Sequence, residues 1–160
     1  MMNVAVLCVG RLRERFYREA ADEYVKRLGR YLALEELEVP DLPEPKRPSE
    51  ALEKRVMAEE GGQLLGRLRP GDHVVALCIE GKALGSEEFA QRLEARKLEG
   101  ISRLVFVIGG SLGLAPAVRD RAQEKLSLSP MTFPHQLARV MLLEQLYRAC
   151  KLNAGERYHK

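Results

Sequence analysis

Three short runs in this 160-residue chain are apolar almost without interruption: Val4–Val9, His73–Ile79 and Leu104–Ile108. Each is closed by glycine, at Gly10, Gly81 and Gly109-Gly110. A strand with one wet face alternates apolar and polar residues. A run that is apolar throughout is buried on both faces, as in a parallel sheet covered by helices on each side. The stretches between the runs have helical periodicity. Tyr17, Ala20, Ala21, Tyr24, Leu28 and Tyr31 form one stripe, predicting a helix from Glu14 to about Leu34, with the tyrosines packed rather than free. Leu34–Val39 reads as a short strand stopped by Pro40, and Pro40, Pro43, Pro45 and Pro48 mark a loop. Ser49 caps a second helix anchored by Leu52, Val56 and Leu64-Leu65, and Gly61-Gly62 inside it implies close packing. A third helix runs from Ser86 to about Leu98, and a short one covers Ala117–Lys125 ahead of a further strand candidate at Leu126–Ser129. The last opens at Pro134 and ends near Lys151. The order β-α-β-α-β-α-β-α-(β)-α predicts one α/β domain over residues 1–160, its mostly parallel sheet flanked by helices.

Composition narrows the function classes. No run approaches the ~20 apolar residues of a membrane span, and Met1–Leu7 lacks the basic start and cleavage site of a signal peptide. Cys8, Cys78 and Cys150 show no metal-ligand spacing and cannot all pair. They read as small core residues in a reducing cytoplasm, so neither structural zinc nor a disulfide scaffold is expected. The net charge of +3 is too small to establish a nucleic-acid partner. Its distribution is uneven: from Pro134 onward Arg139, Arg148, Lys151, Arg157 and Lys160 face only Glu144 and Glu156.

Gly109-Gly110-Ser111-Leu112-Gly113 follows its strand directly, where α/β proteins bind ligands. The G-G-x-x-G spacing is neither the dinucleotide fingerprint nor a P-loop, so a plain strand-to-helix turn stays open beside a ligand loop. On the last helix Val140, Leu142, Leu143, Leu146, Tyr147, Ala149 and Cys150 share one broad arc. Arg139 falls inside that arc and in the first turn, where the helix dipole disfavours a cation. It is therefore paired, or it faces a ligand or an anionic partner. Of the histidines, His73 opens a strand at an edge, His159 lies in the tail, and His135 stands at a helix start as a candidate proton acceptor. No Ser-His-Asp order, carboxylate pair or metal cluster is evident, which leaves a hydrolase with little support.

Longer motifs add to this. Ser127-Leu128-Ser129-Pro130-Met131-Thr132-Phe133-Pro134-His135-Gln136, Arg139-Val140, Leu143–Ala149 and the ending Gly155-Glu156-Arg157-Tyr158-His159-Lys160 closely resemble the RlmH family. So do Val6–Gly10, Leu77–Lys82, and Phe106–Ser111 with Gly113-Leu114. This family comprises pseudouridine N3-methyltransferases of the ribosomal large subunit, within the SPOUT superfamily. The resemblance spans the chain and implies an α/β SPOUT fold with a C-terminal trefoil knot holding S-adenosylmethionine. The implied cofactor-binding residues are Leu77, Gly109 and the loop Leu128, Ser129, Pro130, Met131, Thr132 and Phe133. Pro130 stands where relatives often carry lysine, removing a cation and a backbone donor. The implied substrate is a pseudouridine in helix 69 of 23S rRNA on the assembled ribosome. Arg139 is then expected to stabilise charge on the base, His135 to take the N3 proton, and Tyr158 and His159 to hold the base. The resemblance further implies a cytoplasmic homodimer formed through the last helix, each site borrowing its partner's tail. Three rivals remain: an RNA-binding relative with little catalysis, a flavodoxin-type nucleotide binder, and the same transferase with a different target base.

Overall fold

The computed structural model describes residues 1–158. The elements in chain order are β1 (Met2–Val9), α1 (Arg15–Leu28), β2 (Leu32–Val39), α2 (Glu50–Gly66), β3 (Asp72–Ala83), α3 (Ser86–Leu98), β4 (Arg103–Ile108), α4 (Pro116–Arg121), β5 (Glu124–Ser127) and α5 (His135–Asn153). The strands form one sheet in the order β2-β1-β4-β3-β5, and every described pairing is parallel.

The expected burial on both faces is what the sheet shows. Along β1 and β4, successive side chains enter opposite cores. Val4, Val6, Cys8, Leu104, Phe106 and Ile108 pack with α1, α3 and α5. Ala5, Leu7, Val9, Val105 and Val107 pack under α2 and α4. Leu142, Leu143 and Leu146 of α5 are fully buried in the first core. At about 1.5–3 kcal/mol for each large apolar side chain, this burial holds α5 against the sheet. The tyrosine stripe packs on that core through Tyr17 and Tyr24 of α1 and Tyr31 in the turn that follows it. Gly61 has the structural reason its position implied: a Cβ there would lie 2.8 Å from Ala115 Cβ, so α2 and α4 meet at that point, whereas Gly62 faces open space.

Several boundaries differ from the sequence expectation. α1 stops at Leu28 because Leu32 is taken into β2, opposite Met2 of β1. α4 ends at Arg121, since Glu124–Ser127 pairs with β3 as a strand. Pro134 is the residue flanking α5, not its first helical one. His73 is no edge residue: it pairs with Leu104 of β4, and its half-buried ring has Nε2 2.6 Å from Glu124 Oε2.

The largest difference is in β3, which was expected to end at Gly81 and instead continues to Ala83. Leu126 of β5 is opposite both Leu77 and Lys82, so the intervening residues bulge out of the ladder. Gly81 permits this, since a Cβ there would stand 2.8 Å from the backbone of Lys125 and Leu126.

Candidate active site

The bulge and two loops enclose a cavity of about 780 Å³ at the carboxyl ends of β3, β4 and β5. That volume suits a drug-sized ligand. β3 contributes Leu77 and the bulged Cys78, Ile79 and Glu80. The loop after β4 contributes Gly109–Leu114, and the loop after β5 contributes Leu128, Ser129, Met131, Thr132 and Phe133. His135 and Ala138 of α5 complete the wall.

Each loop is shaped by its own backbone. Gly109 tolerates no side chain, but the group that approaches it is its own loop: a Cβ would lie 2.7 Å from the Gly113 carbonyl carbon. Gly113 turns the chain back with φ of +86°, and its N–H donates to the Gly110 carbonyl at 3.0 Å. In the third loop Ser127 Oγ donates to the Ser129 carbonyl at 3.1 Å, and the Met131 N–H donates to Ser129 Oγ at 2.9 Å. The result is a largely apolar cavity whose lining includes Leu77, Leu128 and Phe133 beside the glycine loop. A cavity of this character suits a mostly apolar ligand held by a few polar groups.

Of the residues expected to hold a cofactor, Leu77, Gly109, Leu128, Ser129, Met131, Thr132 and Phe133 come together on this one cavity. Pro130, between Ser129 and Met131, is exposed and is not among the lining residues. The residues expected to do chemistry separate. His135 lines the cavity. Arg139, one turn later, is 3% exposed and paired: Nε bonds Glu36 Oε2 at 3.0 Å, Nη2 bonds Glu36, and Nη1 bonds Glu38 Oε2 at 2.7 Å. Tyr158 lies on α5 of its own chain, its ring 5.0 Å from that of Tyr147 and 4.7 Å from the Arg148 guanidinium carbon. His159 lies outside the described residues.

The cysteines divide as well. Burial pushes the Cys8 thiol up to about 12 although Arg139 beside it pulls the other way, and burial puts Cys150 at about 11. Both are neutral core residues. Cys78, expected in the core, is on the bulge and faces the cavity, with its thiol again raised by burial.

A family model described as "Predicted SPOUT methyltransferase" matches residues 2–159. The chain belongs to the SPOUT methyltransferase family. A "Ribosomal RNA large subunit methyltransferase H" of Bifidobacterium animalis subsp. lactis is 52% identical, covering 99% of this chain and all of that protein. One of the same name from Exiguobacterium sibiricum is 46% identical over the same shares. Among solved structures, "a probable methylase family protein from Haemophilus influenzae" shares the fold with a TM-score of 0.54 at 14% identity, over 99% of this chain and 71% of that one.

Sequence reasoning missed several wall residues of this SPOUT methyltransferase. Ile79, Glu80 and Arg119 line the cavity, and Glu80 is ion-paired to Arg119. Gly81 was the available signal. Read as a stop, it is the residue that lets β3 bulge and rejoin. Met57 of α2 reaches the cavity from the far core with no signal in its own helix.

Proposed function

We propose that this methyltransferase moves the methyl group of S-adenosylmethionine to N3 of a pseudouridine in helix 69 of 23S rRNA, on the assembled ribosome. The observation that carries this is the gathering of the β3 bulge, the glycine loop and the Ser127–Phe133 loop around one cavity, with His135 in its wall. Two full-length relatives named for large-subunit rRNA methylation, 46–52% identical, support the substrate class.

The cavity's residues fit the donor. Leu77, Leu128 and Phe133 cover the adenine faces, and the main chain of Gly109 and of residues 128–133 reads its edge. A main-chain contact through Pro130 survives the loss of its N–H. When bound, S-adenosylmethionine supplies an electrophilic sulfonium methyl. A trefoil knot made by the chain around β5 would hold these loops in one arrangement.

N3 of pseudouridine carries a weakly acidic imide proton, which must leave as the methyl arrives. His135 accepts it in this proposal, at a position fixed by the first turn of α5. Arg139 favours the charge that builds on the base carbonyls. To do so directly it must release Glu36 or Glu38; otherwise it acts through the helix turn it shares with His135. Tyr158 and His159 hold the base. Because Tyr158 packs away from its own cavity, the tail is assigned to the site of a second copy in a homodimer. That dimer forms over the groove where Tyr24 of α1, Phe89 of α3 and Val140 and Met141 of α5 meet. The ribosome substrate places the protein in the cytoplasm. Among the described residues no helix is long and apolar enough to cross a membrane.

The test is single-turnover transfer from methyl-labelled donor to ribosomes from cells lacking this protein, beside naked rRNA and isolated subunits. The modified nucleotide is mapped by mass spectrometry. Label on one helix 69 pseudouridine, only in assembled particles, is expected. Label elsewhere overturns the target, and absence of donor binding overturns the enzyme. His135→Gln is expected to lower turnover about a hundredfold with donor affinity retained. Full turnover and normal donor affinity in Arg139→Ala overturn the role given to that residue.

A further inference from the structure

Two loops beside the cavity carry cations that the protein itself does not use. The first, residues 10–14, leaves β1 and holds Arg11 and Arg13. The second, residues 40–49, leaves β2 and holds Lys46 and Arg47. All four side chains are exposed. Arg13 has one distant carboxylate, Asp41 at 3.9 Å. Among the described residues, Arg11, Lys46 and Arg47 have no ion-pair or hydrogen-bond partner for their side chains.

Both loops are nonetheless fastened to the cavity's walls. The Arg13 backbone N–H donates to Gln136 Oε1 at 3.1 Å, next to His135. Ser111 Oγ, in the glycine loop, donates to Glu44 Oε1 at 2.6 Å. The Leu42 N–H donates to Glu60 Oε2 at 3.2 Å, and a Cβ on Gly110 would stand 3.3 Å from the other oxygen of that carboxylate. The Gly10 N–H donates to the Val39 carbonyl at 2.8 Å, closing the two loops against each other. The backbone is therefore fixed while the charged ends are left to solvent. Three positive charges without a partner and a fourth with only a distant one, on a pinned rim, are arranged for an anionic surface larger than the cavity can hold.

We infer that Arg11, Arg13, Lys46 and Arg47 form a phosphate-contacting rail that seats the RNA backbone flanking the target nucleotide. This rests on the RNA substrate proposed above and extends it to the part of the molecule that grips the substrate. Such contacts position the acceptor without reading its sequence. They act by releasing counterions, so their signature is the salt dependence of binding.

The experiment compares the wild type with Arg11→Gln/Arg13→Gln/Lys46→Gln/Arg47→Gln. Lys26→Gln/Arg30→Gln removes two exposed cations at the opposite end of the sheet as a control, compared with the quadruple variant charge for charge. Equilibrium binding to ribosomes is measured across a salt series, together with donor affinity by calorimetry and methyl transfer as a function of ribosome concentration. For four lost phosphate contacts the slope of log K against log salt is expected to flatten by about 3. KM for ribosomes should rise at least tenfold at physiological salt, with donor affinity and melting temperature kept. The control should retain the wild-type slope. An unchanged slope in the quadruple variant overturns the rail, as does an equal flattening in the control. The binding arm speaks even if the wild type transfers no methyl to ribosomes: that outcome overturns the proposed reaction, while the slope still decides the rail.

Discussion

The two ends of this sheet use the same residue types to opposite effect. At the amino ends, two arginines are consumed by the fold. Arg103 at the start of β4 gives Nε and Nη2 to Asp72 at 2.9 and 2.7 Å, Nη1 to Glu35 at 2.9 Å, and Nη2 again to the Arg67 carbonyl. Arg121 gives Nη2 to the carbonyls of Arg69 and Asp72. At the carboxyl ends, Arg11, Lys46 and Arg47 are left to solvent, glycines replace side chains, and the cavity opens. One end is built to be finished and the other to receive something. Charge on a surface is informative only once its partners are known, and the sequence total of +3 hides this division.

The largest expected effect sits at the finished end. Arg103 and Asp72 are 6% and 1% exposed in their side chains. Removing one partner of a buried pair strands a charge, at about 3–5 kcal/mol. Arg103→Ala should lose that much in chemical denaturation, whereas the quadruple rail variant should lose nothing. Arg103→Leu/Asp72→Leu should regain most of the loss. A rail variant as unstable as Arg103→Ala would break the contrast. The same pair sets the acid response. Burial alone would raise the Asp72 carboxyl, but the Arg103 bonds and the Arg69 N–H outweigh it and hold it below the ordinary value. A carboxylate lowered in the folded state stabilises fully above its unfolded value, near 3.9. That contribution is lost as pH falls through the lowered folded value. The gap in melting temperature between wild type and Asp72→Asn should thus hold above about pH 5 and close in stronger acid.

Next in size is Gly109, at the receiving end. A methyl there meets the Gly113 carbonyl carbon at 2.7 Å, so Gly109→Ala must move the glycine loop. Overpacking of this kind costs about 1–3 kcal/mol. A melting temperature a few degrees lower and donor binding weakened at least tenfold by calorimetry are expected. Wild-type donor affinity in this variant would show that the loop shapes the cavity without serving it.

The core was largely legible in the sequence, whereas the Arg103–Asp72 pair at the finished end joins residues 31 apart and left no local signal. Short uninterrupted apolar runs closed by glycine read as doubly buried strands, and close packing at Gly61, though not its partner Ala115, followed from a glycine inside a helix. The cavity was legible only in part. The loop after β5 declared itself through the motif from Ser127 to Gln136, which periodicity alone could not have supplied. The β3 bulge did not, because register is set by a pairing between residues 77–82 and 126 that no local pattern encodes. Arg139 was legible as a misfit on an apolar arc, but its partners Glu36 and Glu38 sit about a hundred residues away, on a strand that carried no sign of the pairing. Long-range pairing, rather than composition, separates what could be read from what could not.

The smallest effect gives the sharpest comparison. Glu80 and Arg119, both in the cavity wall, pair with side chains 56% and 33% exposed. The Glu80 carboxyl lies below its ordinary value, held by its own backbone N–H and by Arg119. An exposed pair of this kind is worth about 0–1 kcal/mol. Glu80→Gln should therefore shift the melting temperature by no more than about 2–4 °C at low salt. In about 1 M salt, where the screening length falls to roughly 3 Å, the shift should vanish. The Arg103→Ala loss should persist there, because solvent ions do not reach a pair buried beneath Arg67 and Glu35. Were the Glu80 shift instead to survive high salt, this part of the cavity wall would be closed to solvent ions like the amino end. The division between the two ends would then fail where the chemistry is proposed to occur.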